Sequence, residues 1–161
     1  MDCLMIVVYA PQELDSKRSL WNKIANLVKN YNGMFIVLGD LNEVRCEQER
    51  MGTIFCKNGA ASFNEFINSA ELFDIPMSGR KFTRMNKFGT KLSKIDRILV
   101  SHHFSTKWPN AQVLALQCEL SDHGPLVLKT HSVDFGPIPF KILNSWLLNG
   151  ELLHHFVHCF A

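Results

Sequence analysis

Residues Met34 to Val44, "MFIVLGDLNEV", run from an apolar, β-branched segment through Gly39 into Asp40 and Asn42. A short apolar run of this kind, bounded by glycine, reads as a buried strand. Polar side chains just past such a strand stand where layered α/β proteins carry their chemistry, on loops held by a rigid sheet. Taken alone, Asp40 and Asn42 also read as turn formers whose side chains bond the backbone two residues on.

Working outward, "LMIVVYA" before Pro11 repeats the buried-strand signature. Between the two runs, Leu20, Trp21, Ile24, Leu27, Val28 and Tyr31 recur at helical spacing, which predicts an amphipathic helix over Asp15 to Tyr31. Asp15 or Ser16 is its expected cap, and Gly33 follows its end. Strand, helix, strand of this length is a crossover unit. Downstream, Phe63, Phe66, Ile67, Ala70 and Phe73 predict a second helix over Ala60 to Phe73. The stretch from Ile75 to Ser101 reads as a hairpin, with Ser78 and Gly79 turning the chain, one strand over Lys81 to Met85 and another over Lys94 to Val100. "AQVLALQ" and "PLVLKT" supply two more strands. The Gly and Pro rich segment after Ser132 leads into an apolar tail, so the chain divides into a domain at 1–132 and a linker with helical tail at 133–161.

The chain has 161 residues, 47% of them hydrophobic and 20% charged, with a formal net charge of +2. That is one ordinary domain, mildly basic, and it neither demands nor forbids a polyanionic partner. Five cysteines form no CxxC pair, which fits buried or half-buried free thiols better than a disulfide framework or a zinc site. The start "MDCLMIVVYAPQ" carries Asp2 and breaks at Pro11, so it is neither a signal peptide nor a membrane span. His154 and His158 lie four apart in "HHFVH" but lack the glutamate of a zinc helix, which favours a surface histidine cluster.

Polar residues recur at strand ends: Tyr9, Asp40 with Asn42, Asp96 within "KIDRILV", and Asp122 with His123 in "LSDHGPLVL". Each has a plain structural alternative: an amphipathic aromatic, a turn, a cap, a loop histidine. Asp96 resists it most, because a carboxylate between Ile95 and Ile98 needs a partner. Together they offer oxygen ligands suited to Mg²⁺, and a histidine with a carboxylate to fix its ring. Metal, histidine and tyrosine around one point suggest hydrolysis of a phosphate ester. Lys81, Arg84, Lys87, Lys91, Lys94 and Arg97 gather charge about the predicted hairpin, either as a solvated face or to track phosphates.

The ordered set "VVYAPQ", "VLGDLNEV", "SKIDRILVS" and "LSDHGPLVL" resembles the second half of the exonuclease, endonuclease and phosphatase superfamily, the fold of DNase I and the apurinic endonucleases. "ERMGT", "DIPMSGRKFTRMN" and "FGPIPFKILNSWLL" are similar to the endonuclease domain of plant non-LTR (LINE-type) retrotransposons, where such a tail leads to the reverse transcriptase. The resemblance implies an α/β fold, the C-terminal half of a four-layer α/β/β/α sandwich with largely antiparallel or mixed sheets. It implies DNA as partner, Mg²⁺ or Mn²⁺ as cofactor, and an intracellular, nuclear location. Asp40 is expected to orient or deprotonate the attacking water near the metal, and Asn42 to hold that water or a phosphate oxygen. His123 is expected to donate to the scissile phosphate with Asp96 fixing its ring, Asp122 to be a metal-side carboxylate, and Tyr9 to donate to charge developing on phosphorus. Gln12 matches a polar position that touches phosphate.

Two departures from that pattern matter. The chain begins after the family's early asparagine and its metal-binding glutamate, so the site is expected to be incomplete and the chain N-terminally truncated, with one sheet face left open. Glu13, Glu43, Glu47 and Glu49 are poor substitutes on helix starts or loops. Arg84 stands where the retrotransposon relatives have tryptophan, which weakens packing there or adds a phosphate contact. The expectation is therefore a DNA-nicking phosphodiesterase impaired by truncation, with an inactive remnant or binding fragment as the alternative. A phosphatase or phospholipase of the same superfamily is the third reading, with a missing N-terminal half or a reverse transcriptase domain as protein partners.

Overall fold

The structure, a computed structural model, describes residues 2–131. The apolar tail and its histidines therefore lie outside the described residues, as do Ser132 and Cys159. Strand β1 (Cys3–Tyr9) is joined by helix α1 (Leu14–Lys29) to β2 (Met34–Asp40), and the two strands pair in parallel from Cys3 opposite Met34 to Tyr9 opposite Asp40. The crossover unit is thus formed as the periodicity indicates. A 3₁₀ turn (Glu47–Glu49) and a short β3 (Arg50–Met51) precede α2 (Lys57–Ser69). Then come β4 (Phe73–Asp74), β5 (Met77–Gly79), β6 (Arg84–Met85), β7 (Leu92–Ser93), β8 (Asp96–Val100), α3 (His102–Lys107), β9 (Gln112–Ala115) and β10 (Leu126–Lys129).

The main sheet has the order β1-β2-β8-β4, and a second sheet has the order β10-β9-β5. Both are mixed: β1 with β2 and β5 with β9 are parallel, while the other pairs are antiparallel. On one face of the main sheet, α1 and α2 bury Trp21, Ile24, Val28, Phe63, Phe66 and Ile67 against Val8, Val37 and Leu99. Trp21 and Phe63 are 1% and 0% exposed with ring centroids 5.1 Å apart, an aromatic contact that adds about 1 kcal/mol to simple burial. On the other face, Ile36, Ile98 and Val100 pack on Val113, with Leu126 and Leu128 at the margin. Helices over a sheet over a sheet is the α/β layering implied by the sequence. The open face belongs to the edge strand β1, where Met5, Val7 and Tyr9 are 60%, 76% and 84% exposed and no described residue covers them.

Several boundaries differ from the sequence expectation. Helix α1 starts a residue earlier, with Glu13 in the N-cap position and no side-chain cap, so neither Asp15 nor Ser16 serves. Helix α2 spans Lys57–Ser69 rather than 60–73, because Cys56 Sγ accepts the Gly59 N–H at its start and a Schellman turn ends it. In that turn Glu71 adopts φ 52° and Leu72 donates to the Ile67 carbonyl, which releases Phe73 into β4. Ser78 and Gly79 are not a turn: they pair in parallel with Leu114 and Ala115 inside the second sheet. The true hairpin is Arg84–Met85 with Leu92–Ser93, turning at Gly89, and β8 leaves it to pair with β2. The thiols of Cys3, Cys46 and Cys56 are exposed rather than buried, and among the described residues only Cys118 is half-buried.

Candidate active site

Gly39 makes the geometry at the end of β2 possible. Its φ of 125° lies where L side chains rarely go, and a Cβ there would meet the Val8 carbonyl oxygen at 2.1 Å. The β1 backbone therefore passes close by, and Asp40 emerges between Tyr9 on one side and Asp96 on the other. Tyr9, Asp40 and Asp96 form one row across three strands. Asp96 extends it, because His123 Nδ1 lies 3.0 Å from Asp96 Oδ1 and 2.9 Å from Oδ2. With Nδ1–H donated to the carboxylate, the ring keeps Nε2 for another partner.

Asp40 is 8% exposed, and one carboxylate oxygen accepts the Asn42 N–H at 2.8 Å. Burial pushes its carboxyl above the ordinary carboxylate value, and the Asn42 bond opposes that rise. Nearby Asp96 pushes in the same direction as burial. A carboxylate that holds its proton more readily is a better acceptor for a proton from water at its side. Asn42 adopts φ 51° and donates its Nδ2 to the Ala10 carbonyl at 2.7 Å, so the amide oxygen is the atom left for a ligand. Beneath it, the buried Lys17 Nζ reaches the Asn42 carbonyl at 3.1 Å and Glu43 Oε2 at 2.5 Å. Glu43 is thereby used in an internal ion pair, as expected of a poor substitute ligand.

The remaining sequence candidates divide. Asp122 is exposed and its Oδ2 accepts from Arg84 Nε at 3.0 Å, a bond that holds its carboxyl below the ordinary value. Arg84 itself lines a cleft of about 330 Å³ beside Asn42, together with Arg50, Asn86 and Lys91. Gln12 is exposed on the β1–α1 loop, within the same end of the sheet. Tyr9 is no core aromatic, since it stands free at 84% exposure. Two expectations are corrected. Arg97 is 1% exposed and bonds Asp74 Oδ2 at 2.6 Å and Glu49, on the opposite side of β8, so it has no path to a nucleic acid. Lys94 is drawn to Glu49 Oε1 at 3.8 Å with only 17% of its side chain exposed, which takes its ammonium away from the cleft. Sequence reasoning missed Arg50, whose lining position follows from the short β3, and Thr83, whose hydroxyl is wholly buried.

The donor set is short of what a divalent cation needs. Among the described residues, no three His, Cys, Asp or Glu side chains are grouped to hold a metal. Asp96 is engaged by His123 and Asp122 by Arg84, which leaves Asp40 and the Asn42 amide oxygen. Mg²⁺ can bind through one or two carboxylates with phosphate and water completing its shell, but these residues do not make a site by themselves.

No protein-family model matches the chain, nor does any curated protein. Solved structures do. A 3'-5' exonuclease from Neisseria meningitidis superposes with a TM-score of 0.63 at 18% identity, over 78% of this chain and 60% of that one. The chain has a DNase I-like fold. The Neisseria 3' phosphatase NExo bound to product DNA hairpin gives 0.62 at 18% identity with the same coverage. Beta toxin from Staphylococcus aureus gives 0.57 at 14%, over 78% of this chain and 51% of that one. The chain thus spans about 60% of the length of the Neisseria enzymes it matches.

Proposed function

We propose that the chain carries the phosphate-handling half of a phosphodiesterase that nicks DNA. The observation behind this reading is the row of Tyr9, Asp40 and Asp96 across three strands, closed by His123 on Asp96. In it, Asp40 orients a water and takes its proton, with the Asn42 amide oxygen as the second acceptor for that water. His123, its Nδ1 fixed by Asp96, presents Nε2 to the phosphate, and the exposed Tyr9 hydroxyl donates to oxygen as charge develops. Arg84, Arg50 and Lys91 suit the flanking phosphates of a strand lying in the cleft. The DNA-bound state of one structural neighbour agrees in kind with a DNA partner.

The retrotransposon origin rests on the sequence motifs "ERMGT", "KFTRMN" and "FGPIPFKILNSWLL". Dependence on Mg²⁺ belongs to the same reading, and it requires a further ligand from outside the described residues. The competing reading is a binding fragment without activity, favoured by the lack, among the described residues, of a second unengaged carboxylate beside Asp40. A supercoiled-plasmid nicking assay in Mg²⁺ separates the two. The phosphodiesterase reading expects nicking that Asp40→Ala and His123→Ala each reduce by about a hundredfold or more; the fragment reading expects none.

A further inference from the structure

Resting on that reading of the site, we infer that Thr83 is a positioning residue for the Asp96–His123 pair. Thr83 is 0% exposed and stands in the hairpin arm just before β6. Its Oγ1 accepts two backbone N–H groups, from Ile95 at 3.1 Å and Asp96 at 3.0 Å. Its carbonyl accepts the Gly124 N–H at 2.7 Å, and its own N–H donates to the Ser93 carbonyl at 3.0 Å. One residue thus holds the backbone of the carboxylate on one side and the residue after the histidine on the other.

The surrounding contacts make this more than general packing. Arg84 bridges to His123 and Met85 donates to the Asp122 carbonyl at 2.8 Å, so the Asp122–Gly124 loop is registered along residues 83–85. On its other side Gly124 lies against the chain beyond β9, where a Cβ would meet the Leu116 carbonyl oxygen at 2.7 Å, so the loop is held close from both directions. The two halves of the pair lie 27 residues apart in the chain, Asp96 at the start of β8 in the main sheet and His123 in the loop before β10. Thr83 is where their backbones are tied together. Without its hydroxyl, two N–H groups at the start of β8 lose their acceptor inside the protein, a costly state. The strand start that aims Asp96 is then free to shift, whereas Gly124 keeps its bond to the main chain.

The test is NMR of the full chain, comparing Thr83→Val, which keeps the shape, with Thr83→Ser, which keeps the hydroxyl. Ring ¹⁵N shifts of His123, assigned with His123→Ala, report the tautomer at a pH where the ring is neutral. Asp96→Ala supplies the unpaired endpoint. In the native chain, Nδ1 should carry the proton. In Thr83→Val, the His123 shifts should move toward the Asp96→Ala endpoint, and the Asp96 amide proton should exchange roughly tenfold or more faster. Thr83→Ser should restore both. A Thr83→Val chain with native His123 shifts and native Asp96 exchange overturns the inference. So does a Thr83→Val chain that fails to fold, which would make Thr83 a general scaffold residue, and so does a Thr83→Ser chain that behaves like valine. These readouts do not depend on phosphodiester hydrolysis, so loss of the nicking reading leaves them intact and the reverse also holds.

Discussion

Asp96 and Arg97 are neighbours on β8, yet they face opposite sides of the main sheet and serve opposite ends. Asp96 looks toward the second sheet and the site, where its partner is a half-exposed histidine. Arg97 looks toward the helices, where its side chain is 0% exposed and tied to Asp74 and Glu49 over the Phe63 ring. Strand alternation puts them there: one step along a strand reverses the face. The difference teaches how to weigh charge in a strand. A buried cation with two carboxylates is spent on the scaffold, whereas a carboxylate that leaves one imidazole nitrogen free is set up for chemistry.

The contrast can be broken most severely at Arg97. Arg97→Ala leaves Asp74 and Glu49 without their cation, and urea denaturation should register a loss of about 3–5 kcal/mol; a loss below about 1 kcal/mol would place the arginine in water-like surroundings and dissolve the contrast. Asp96→Ala should do the reverse. It costs stability only on the order of 1 kcal/mol, while nicking falls by about a hundredfold. Equal damage to folding from both variants argues that Asp96 is also scaffold.

Asp40 sharpens the same point through pH. Its folded carboxyl binds a proton more readily than the unfolded one, so stability falls as pH rises from the ordinary carboxylate range through the raised value. Asp40→Asn removes that loss. The variant should be more stable than the native chain at neutral pH, with the gap closing in acid below the ordinary range. A neutral-pH destabilisation measured by thermal melting speaks against a site held under strain by burial. Lys94→Ala lies at the small end, with a change within about 0.5 kcal/mol and little effect on DNA retention, because its contact with Glu49 is long, at 3.8 Å, and Glu49 keeps Arg97 as its closer partner.

Much of the scaffold was legible because it is local. The runs "LMIVVYA" and "MFIVLG", with a helical stripe between them, are enough to write a parallel crossover, and Gly39 before Asp40 marks the strand end. The need of Asp96 for a partner was legible too, since a carboxylate between isoleucines must be satisfied. Its partner, 27 residues on, was legible only through the resemblance. What escaped depends on distance and on context. Arg97 looks basic and surface-borne in "KIDRILV", but Glu49 and Asp74 arrive from 48 and 23 residues away to bury it. Ser78 and Gly79 carry turn chemistry, but β9 draws them into a sheet. Thr83 offers no signal in the sequence, because a hydroxyl serving two distant N–H groups looks like any threonine in a strand.

The central claim is that the row ending in Asp96 and His123 acts on a phosphodiester. Its most direct measurement is the rate of supercoiled-plasmid nicking in Mg²⁺ by the purified chain beside Asp40→Ala and His123→Ala. The account predicts nicking by the native chain that both substitutions lower by about a hundredfold or more. Nicking that survives both changes, or none from the native chain at any protein concentration, contradicts it.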